Sequence, residues 1–371
     1  MNKLRVLHLL DTRNWAGTER YILTLAAQQA ATAAVEPVVG CPAGSPLHDR
    51  ATEAGLKCLA IGEGSKPANN ARNAISLRRI ATQFDLLHSH NGRCLAAAVA
   101  SGGRVVATQH FIRPASADRG GVKGTASRLI SRALAQRVRR WIAISDASRT
   151  AMIDRGEISA DRIELVYNGV AEPRYTRSRV ETRRELEVVG DVPVVLCVCR
   201  LEPEKDVATL VDAAARLRTK PAIWIAGVGV ERSTLETKAA KLAVPVRFLG
   251  MRADVADLMA AADVVVLPAP EEPFGLVLIE AMAVGRPIVA CGAGGPLEIV
   301  QDGATGYLVK PRSPDDFAAA IDRLLDSPAN RQRFSNAGRK RYEALFTAQQ
   351  MEQGVRRMYE RAMQQSSGQP A

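Results

Sequence analysis

Short apolar runs alternate along this chain with longer stretches in which apolar positions recur at helical spacing. In the N-terminal half, strands are predicted at KLRVLHLL, VEPVVGC, FDLLHSH, RVVATQH and RWIAIS. Stretches between them, such as TERYILTLAAQQA, predict amphipathic helices. Strands that alternate with helices are typical of a parallel sheet covered by helices, so this half predicts a Rossmann-like domain.

The alternation breaks over residues 171–190, which are charged and carry few strand signals. It restarts with PVVLCVCR, AIWIAGVG, VRFLG, DVVVLP, PIVACGAGG and GYLVK, and the chain is too long for one ordinary core. We therefore predict an α/β protein with two doubly wound, Rossmann-like domains, residues 1–175 and 191–345, joined by a linker at 176–190. Residues 346–371 predict a C-terminal helix that packs back on the N-terminal domain.

Composition narrows the class of protein. Aromatic residues make up 4% of the chain and hydrophobic residues 47%, which is typical of a soluble protein with an aliphatic core. No apolar run approaches the roughly 18 residues that span a bilayer, and the first run, VLHLL, is too short for a signal-peptide core. The six cysteines show no metal-ligand spacing. We therefore expect a cytoplasmic protein with reduced cysteines.

The charge indicates an anionic partner. The formal net charge is +11 and the isoelectric point is about 9.6. Few aromatic residues and no known nucleic-acid module argue against a nucleic-acid binder. A nicotinamide dehydrogenase would also be doubly wound, but its G-x-G-x-x-G fingerprint fails here, because Arg232 follows Gly227 and Gly229 where the third glycine belongs.

The stretch EEPFGLVLIEA follows the predicted strand DVVVLP and combines two carboxylates with a helix start. Gly275 allows close approach to the free N–H groups of that helix, which suit an anion. Glu280 lies one turn beyond Leu276 on the same face, where a carboxylate can accept two hydrogen bonds from a ribose diol. Glu272, before the turn, can accept from sugar hydroxyls. The alternative for isolated glutamates is two solvated surface acids.

Two cations end another predicted strand. Arg200 and Lys205 lie in CRLEPEKD, and fixed cations at a strand end suit a diphosphate leaving group. The chain has no D-x-D motif, so we expect no metal ion and no cofactor at the site. The alternative is that both residues are solvated surface charges.

In the N-terminal half, Gly17 lies at the expected helix start in NWAGTERY, where it permits close approach of a phosphate. Thr18 and Glu19 are candidates to contact an acceptor, and an ordinary N-capped helix is the alternative. His88 and His90 end one predicted strand and His110 ends another, and all three are candidates to face the ligand-binding edge of the sheet, His110 being the best of them. A structural role is the alternative for a histidine at a strand end.

Together these stretches resemble the retaining glycosyltransferases of family 4, which have the GT-B fold. In chain order they are AGTER, HSH, TQH, ISDASR, YNGV, CRLEPEKD, GVG, FLG, EEPFGLVLIEA, AGGPLEIV and DGATGYLV. The resemblance implies two domains that face each other across a cleft, a nucleotide-diphosphate sugar donor, and transfer with retention by front-face substitution without a metal. Ala16 and Tyr167 depart from the pattern, since many relatives have glycine and proline there.

The resemblance also implies residue roles. Four are catalytic: His110 beside the reacting sugar, with Glu272, Arg200 and Lys205. The donor-binding set is Gly17, Arg200, Lys205, Glu272, Phe274, Gly275, Leu276 and Glu280, with Gly294, Gly295 and Glu298 in a loop nearby. We also expect Met251 and Arg252, in the loop after FLG, to pass near the donor's base.

A basic segment suggests an acceptor at a membrane. RGGVKGTASRLISRALAQRVRR carries seven basic residues and no acid, so a peripheral protein on an anionic membrane face is expected. The candidate membrane-facing residues are Arg128, Arg132, Arg139 and Arg140. The acceptor would then be a lipid-linked or cell-envelope saccharide. A solvated basic helix with a soluble small-molecule acceptor, or a non-catalytic nucleotide-sugar-binding protein, are the alternatives.

Overall fold

The computed structural model divides the chain into two compact units, Met1–Ala171 with Ala348–Ala371, and Glu172–Thr347. The chain crosses from one unit to the other near residues 171 and 347. The ranges that the structure describes are 3–63, 67–112, 122–241 and 246–364.

The first unit contains a seven-stranded parallel sheet. Its strands are β1 (Leu4–Leu9), β2 (Val35–Cys41), β3 (Lys57–Ala60), β4 (Leu86–Ser89), β5 (Val105–Gln109), β6 (Val138–Ala143) and β7 (Ile163–Leu165). Their spatial order is β3-β2-β1-β4-β5-β6-β7. The helices between them are α1 (Gly17–Thr32), α2 (Pro46–Glu53), α3 (Pro67–Ile80), α4 (Gly92–Ala100), α5 (Val122–Gln136) and α6 (Asp146–Asp154).

Both faces of this sheet are buried. Alternate residues of each strand point to opposite sides, so they enter two different core clusters. Val6 and Leu86 contribute to the core cluster on the face covered by α1. Leu7 and Leu87 contribute to the cluster on the other face. The order of strands reverses between β1 and β4, which are neighbours in the sheet.

The second unit contains a six-stranded parallel sheet. Its strands are β8 (Val194–Val198), β9 (Ala222–Ala226), β10 (Val246–Gly250), β11 (Val264–Leu267), β12 (Ile288–Cys291) and β13 (Gly306–Val309), in the order β10-β9-β8-β11-β12-β13. Its helices are α7 (Arg179–Glu185), α8 (Val207–Ala214), α9 (Arg232–Ala239), α10 (Val255–Ala261), α11 (Leu276–Ala283), α12 (Pro296–Ile299), α13 (Pro314–Leu325) and α14 (Pro328–Leu345). The prediction of two doubly wound α/β domains is confirmed.

The segment expected to be a linker, residues 176–190, lies within the second unit. It forms α7, because its charged side chains have partners there. Arg179 and Arg183 each donate to the carboxylate of Asp263, at 2.7 and 2.6 Å. The backbone N–H of Thr176 donates to Asp257. The charged composition of this segment therefore marks an ion-pair network and not an exposed linker.

The last helix, α15 (Ala348–Gln364), belongs to the first unit and packs against α1. Met351, Val355 and Met358 are buried in the core cluster that covers one face of the first sheet. Gly354 makes this approach possible, because a Cβ there would lie 2.7 Å from Cγ1 of Val166.

Among the described residues, no helix combines the length and apolar character that crossing a bilayer requires.

Candidate functional site

Lys205 and Glu272 meet at the carboxyl edge of the second sheet. Lys205 ends a short helical turn in the loop after β8, and Glu272 lies between β11 and α11. Nζ of Lys205 lies 2.6 Å from Oε2 of Glu272, and the side chains are 16% and 14% exposed. The two residues meet because β8 and β11 are neighbours where the strand order reverses. Ligands of open α/β sheets bind at this edge.

Arg200 is held less firmly than Lys205. Its guanidinium lies 2.6 Å from Oε1 of Glu204, one helical turn away in sequence, and both side chains are about half exposed. An ion pair of this kind contributes little to stability and leaves the side chain free to move. The structure therefore fixes one cation at this edge, while the second lies in an exposed pair.

The turn before α11 has the form that the sequence predicts. Gly275 adopts a left-handed conformation, φ +105°, immediately before the helix begins at Leu276. The first N–H groups of a helix have no partner within it and attract anions. The ring of Phe274 is buried and packs edge-on against Phe346, so it is not exposed to a ligand. Glu280 lies one turn into α11 and is partly buried.

Two glycines after β12 hold the Glu272 loop in place. A Cβ on Gly294 would lie 2.5 Å from the carbonyl oxygen of Glu272, and one on Gly295 would lie 2.3 Å from Cα of Phe274. The N–H of Gly295 donates to the Glu272 carbonyl at 2.9 Å. These glycines therefore position the loop that carries Glu272 by close backbone packing.

The loop after β10 places its two candidate residues differently. Met251 is 69% exposed. Arg252 forms ion pairs with Asp254 at 2.6 Å and with Glu185 of α7 at 3.0 Å. Its guanidinium is therefore part of the ion-pair network that holds α7, and contact of this loop with the donor's base stays a prediction.

At the start of α1, Glu19 caps the helix, as the alternative given for this stretch predicts. One of its carboxylate oxygens accepts from the N–H of Ala16 at 2.9 Å, and the other accepts from Oγ1 of Thr12 at 2.6 Å. Thr18 and Glu19 are both buried. Both oxygens of Glu19 thus hold the start of the helix, and Gly17, whose backbone begins the helix, stays a candidate for a ligand.

Four buried histidines form the unexpected feature of the first unit. His8 on β1 and His88 on β4 are register partners in adjacent strands. His90 and His110 follow the ends of β4 and β5. All four are at most 7% exposed. They share the sheet face that α1 and α15 cover.

A chain of hydrogen bonds joins three of these rings to a buried amide. Nδ1 of His90 lies 3.1 Å from Nε2 of His110, and Nε2 of His90 lies 3.1 Å from Nδ1 of His8. Nε2 of His8 lies 2.8 Å from Oε1 of Gln29 on α1. Burial lowers the pKa of His8 to about 4 and that of His110 to about 3. Burial also lowers the pKa of His90. These rings are therefore neutral at pH 7.

His88 lies on a second branch. Its Nδ1 lies 2.7 Å from the hydroxyl of Tyr359 on α15, and its Nε2 lies 2.7 Å from Oγ1 of Thr108. Nitrogens of His8, His88 and His90 lie within 4.8 Å of one another, a donor set that zinc accepts. Each of the six ring nitrogens already has a partner within the protein. A metal ion would therefore have to displace hydrogen bonds in a buried core.

A cavity of about 420 Å³ lies beside His90 and His110 in the first unit. Its walls combine apolar and polar side chains, among them Asn91, Leu95, Gln109, Leu134, Trp141, Met152, Arg155, Glu157 and Ile158. His90 and His110 therefore border a space large enough for a small ligand, and their place at a ligand-binding edge stays a prediction.

Sequence reasoning missed Gln29, His8 and Tyr359 as partners of these histidines. Gln29 and Tyr359 look like ordinary positions of amphipathic helices. The one available signal was His8, a histidine inside the apolar run VLHLL, since a buried polar side chain in a strand needs a partner.

The expected membrane-facing basic surface needs correction. The four arginines do not form one surface, because Arg139 and Arg140 lie on β6, whereas Arg132 lies on the preceding helix α5. Arg139 donates to the carbonyl of Ala362, and Arg140 forms an ion pair with Glu164. Arg132 is exposed on α5, whereas the Arg128 side chain and residues 119–121 lie outside the part of the chain that the structure describes.

Two family models match the chain. The model described as Glycosyltransferase Family 4 matches residues 15–172, and the model described as Glycosyl transferases group 1 matches residues 178–341. This chain belongs to the group 1, family 4 glycosyltransferases. The resemblance noted from the motifs is confirmed.

Curated relatives match over part of their length. The lipopolysaccharide core biosynthesis glycosyltransferase LpsE of Rhizobium meliloti is 34% identical over 169 residues, which are 44% of this chain and 49% of LpsE. The D-inositol 3-phosphate glycosyltransferase of Geodermatophilus obscurus is 36% identical over 213 residues, which are 53% of this chain and 46% of that protein. The chain spans about half the length of the curated relatives it matches.

Solved structures show the fold. The structure of Anabaena HepE in complex with UDP and glucose matches with a TM-score of 0.84 at 23% identity, over 96% of this chain and 99% of HepE. WaaG, a glycosyltransferase involved in lipopolysaccharide biosynthesis, matches with a TM-score of 0.72 at 19% identity, over 96% of this chain and 99% of WaaG. These likenesses confirm the GT-B fold.

We predict that Gly295→Ala destabilises the second unit and Gly292→Ala does not. The Gly295 Cβ would overlap the Phe274 backbone, whereas a Cβ on Gly292 would meet its nearest atom at 3.5 Å, an ordinary contact. Gly295→Ala should cost about 1–3 kcal/mol in the free energy of unfolding, as overpacking does. Urea unfolding measures both variants, and equal stabilities would contradict this account of the glycine loop.

Proposed function

We propose that this chain is a retaining glycosyltransferase that moves a hexose-type sugar from a UDP- or GDP-linked donor to a hydroxyl group. The observation that carries the proposal is the Lys205–Glu272 pair beside the N-terminus of α11, in a chain that belongs to a glycosyltransferase family. The presence of UDP and glucose in the matched HepE structure supports a nucleotide-sugar donor.

In this proposal the second unit binds the donor. A diphosphate would compete with Glu272 for the Lys205 ammonium, because a double negative charge attracts a cation more strongly than one carboxylate does. Arg200 would leave its exposed pair with Glu204 and add a second cation. Glu272, once released, would accept hydrogen bonds from sugar hydroxyls, and Glu280 would accept from the ribose.

Catalysis would then rest on stabilising the leaving diphosphate. Negative charge develops there as the glycosidic bond to phosphate breaks, and Lys205 together with the helix N-terminus opposes it. A departing phosphate oxygen takes the acceptor's proton in front-face substitution, so no separate base is required. We assign His110 a place beside the reacting sugar. We propose that no metal ion takes part.

For the acceptor we propose a lipid-linked or cell-envelope saccharide, with the protein attached peripherally to an anionic membrane face. The name of LpsE supports an envelope acceptor. The first unit supports the membrane, because Leu129 and Ile130 of α5 are 65% and 63% exposed and lie close in sequence to exposed Arg132. Exposed apolar residues beside a basic one are typical of interfacial helices.

Two alternatives to this proposal can be distinguished by experiment. The name of the D-inositol 3-phosphate glycosyltransferase favours a soluble small acceptor, which would require no vesicle binding. A nucleotide-sugar-binding protein without activity would bind the donor but release no nucleotide from it.

Nucleotide binding is the first test. UDP, GDP, ADP and their sugar conjugates, each with a chelator present, should be compared by thermal shift. A ligand at a hundred times its dissociation constant stabilises the folded state by about 2.7 kcal/mol, so the correct base will raise Tm measurably. NAD serves as the negative control. A shift with NAD alone, or binding and turnover that require added Mg²⁺ or Mn²⁺, would contradict the proposal.

Lys205→Met should slow the release of nucleoside diphosphate from the donor by about 100- to 1000-fold, as loss of a transition-state stabiliser does. Lys238→Met is the matched control, because Lys238 also lies 2.6 Å from a carboxylate, that of Asp212, with both side chains 38% exposed. Thermal unfolding shows whether each variant is folded. A folded Lys205→Met with wild-type turnover would exclude this role for Lys205.

Membrane attachment is tested with sedimenting vesicles that contain phosphatidylglycerol. Wild-type protein should bind at low salt and be released at high salt, since the attraction is screened. The double change Leu129→Ser, Ile130→Ser should reduce binding. Val189→Ser, Val230→Ser should not, although both valines are also highly exposed. Wild-type protein that stays in solution would favour the soluble acceptor.

A further inference from the structure

The buried amide of Gln29 connects to both branches of the histidine network. Its Oε1 lies 2.8 Å from Nε2 of His8, and its Nε2 lies 3.5 Å from the hydroxyl of Tyr359. Gln29 is completely buried. Gln29 and His8 are absent from the donor and acceptor roles assigned above.

We propose that Gln29 is a positioning residue that sets, through His8 and His90, which ring nitrogen of His110 carries the proton. The tautomer of His110 is inferred from the hydrogen-bond chain alone. The effect of that tautomer on turnover rests on the proposed function.

The direction of the chain follows from donor and acceptor chemistry. Oε1 of Gln29 only accepts, so Nε2 of His8 must carry a proton and donate to it. A neutral imidazole has one N–H, so Nδ1 of His8 is an acceptor, and Nε2 of His90 donates to it. The same step repeats once more, and Nε2 of His110 donates to Nδ1 of His90.

All three rings therefore carry their proton on Nε2, and His110 keeps an unprotonated Nδ1. An unprotonated nitrogen accepts a hydrogen bond from a hydroxyl group and cannot donate one to a carbonyl or phosphate oxygen. Beside a reacting sugar, His110 would thus recognise a hydroxyl. Tyr21 holds the ring in place by edge-on packing, with centroids 4.7 Å apart.

The second branch agrees with the same amide orientation. The amide nitrogen of Gln29 donates to the hydroxyl of Tyr359, which donates to Nδ1 of His88, whose Nε2–H donates to Thr108. Rotating the amide by half a turn would reverse every bond on both branches. One side chain on α1 therefore determines the tautomers on two strand ends.

An isolated imidazole exchanges between its two tautomers, but a ring within this hydrogen-bonded chain cannot do so alone. Here a change at His110 alone would place two N–H groups, or two lone pairs, face to face between His110 and His90. An unmade bond between buried groups is costly. The tautomers therefore change together or not at all, and the amide that ends the chain decides.

The test is ¹⁵N-detected imidazole spectroscopy at pH 7 on the whole chain. The chain has only five histidines, so the ring signals can be assigned with single-histidine variants. Wild-type protein should show Nε2–H and an unprotonated Nδ1 for His8, His90 and His110. A proton on Nδ1 of any of the three overturns the proposal, and so does the spectrum of a metal-bound ring that a chelator reverses.

Variants test the role of the amide. Gln29→Met, close in volume and without a hydrogen bond to give, should lose the single-tautomer pattern of His110. Tyr359→Phe is the matched control, because it removes a hydroxyl from the other branch in the same buried region, and His110 should keep its Nε2–H. Unchanged His110 signals in folded Gln29→Met would overturn the proposal. The wild-type spectrum decides if that variant does not fold.

Turnover separates this inference from the proposed function. If His110 acts beside the sugar, turnover of Gln29→Met should fall in proportion to the fraction of His110 in the wrong tautomer. A confirmed tautomer chain with no glycosyl transfer in wild-type protein would leave the positioning role standing and refute the activity. Glycosyl transfer without the tautomer chain would do the reverse.

Discussion

Burial of both faces of two parallel sheets is the constraint on which this structure depends. A strand covered by helices on each side must be apolar along nearly its whole length, as the fully buried strands β9, β11 and β12 are. Polar chemistry is then confined to the loops at the carboxyl ends, where helix N-termini also point. The candidate donor residues lie there for that reason.

The first sheet has polar side chains on a buried face, and this explains its histidine network. His8 and His88 place imidazoles on a buried face, where each unsatisfied ring nitrogen would cost about 1–3 kcal/mol. Gln29 and Tyr359 satisfy them from the two helices that cover this face. The C-terminal helix is thereby tied to the first unit by a polar contact as well as by its apolar side chains.

Much of this could be read from the amino-acid sequence alone. Alternating apolar runs and helical patterns predicted two Rossmann-like domains, because burial imposes a periodicity that composition and order display directly. The helix start at Gly275 could be located, because it depends only on residues adjacent in the chain. The roles of Glu272, Glu280 and Lys205 rest on the chemistry of these residues and on the family resemblance, and they stay predictions about a donor.

Only the tertiary structure decided which groups meet. A run of charged residues does not show which residues it pairs with. Residues 176–190 therefore resemble a linker in the sequence, although Arg179 and Arg183 pair with Asp263, some 80 positions away. The basic run that ends at Arg140 predicts one membrane-facing surface, although its last two arginines, Arg139 and Arg140, lie on β6 and have partners within the first unit. The link from Gln29 to His110 joins side chains from one helix, one strand and the ends of two further strands. Periodicity determines which face of an element is buried, whereas contacts between distant elements depend on sheet order and packing, which no local pattern contains.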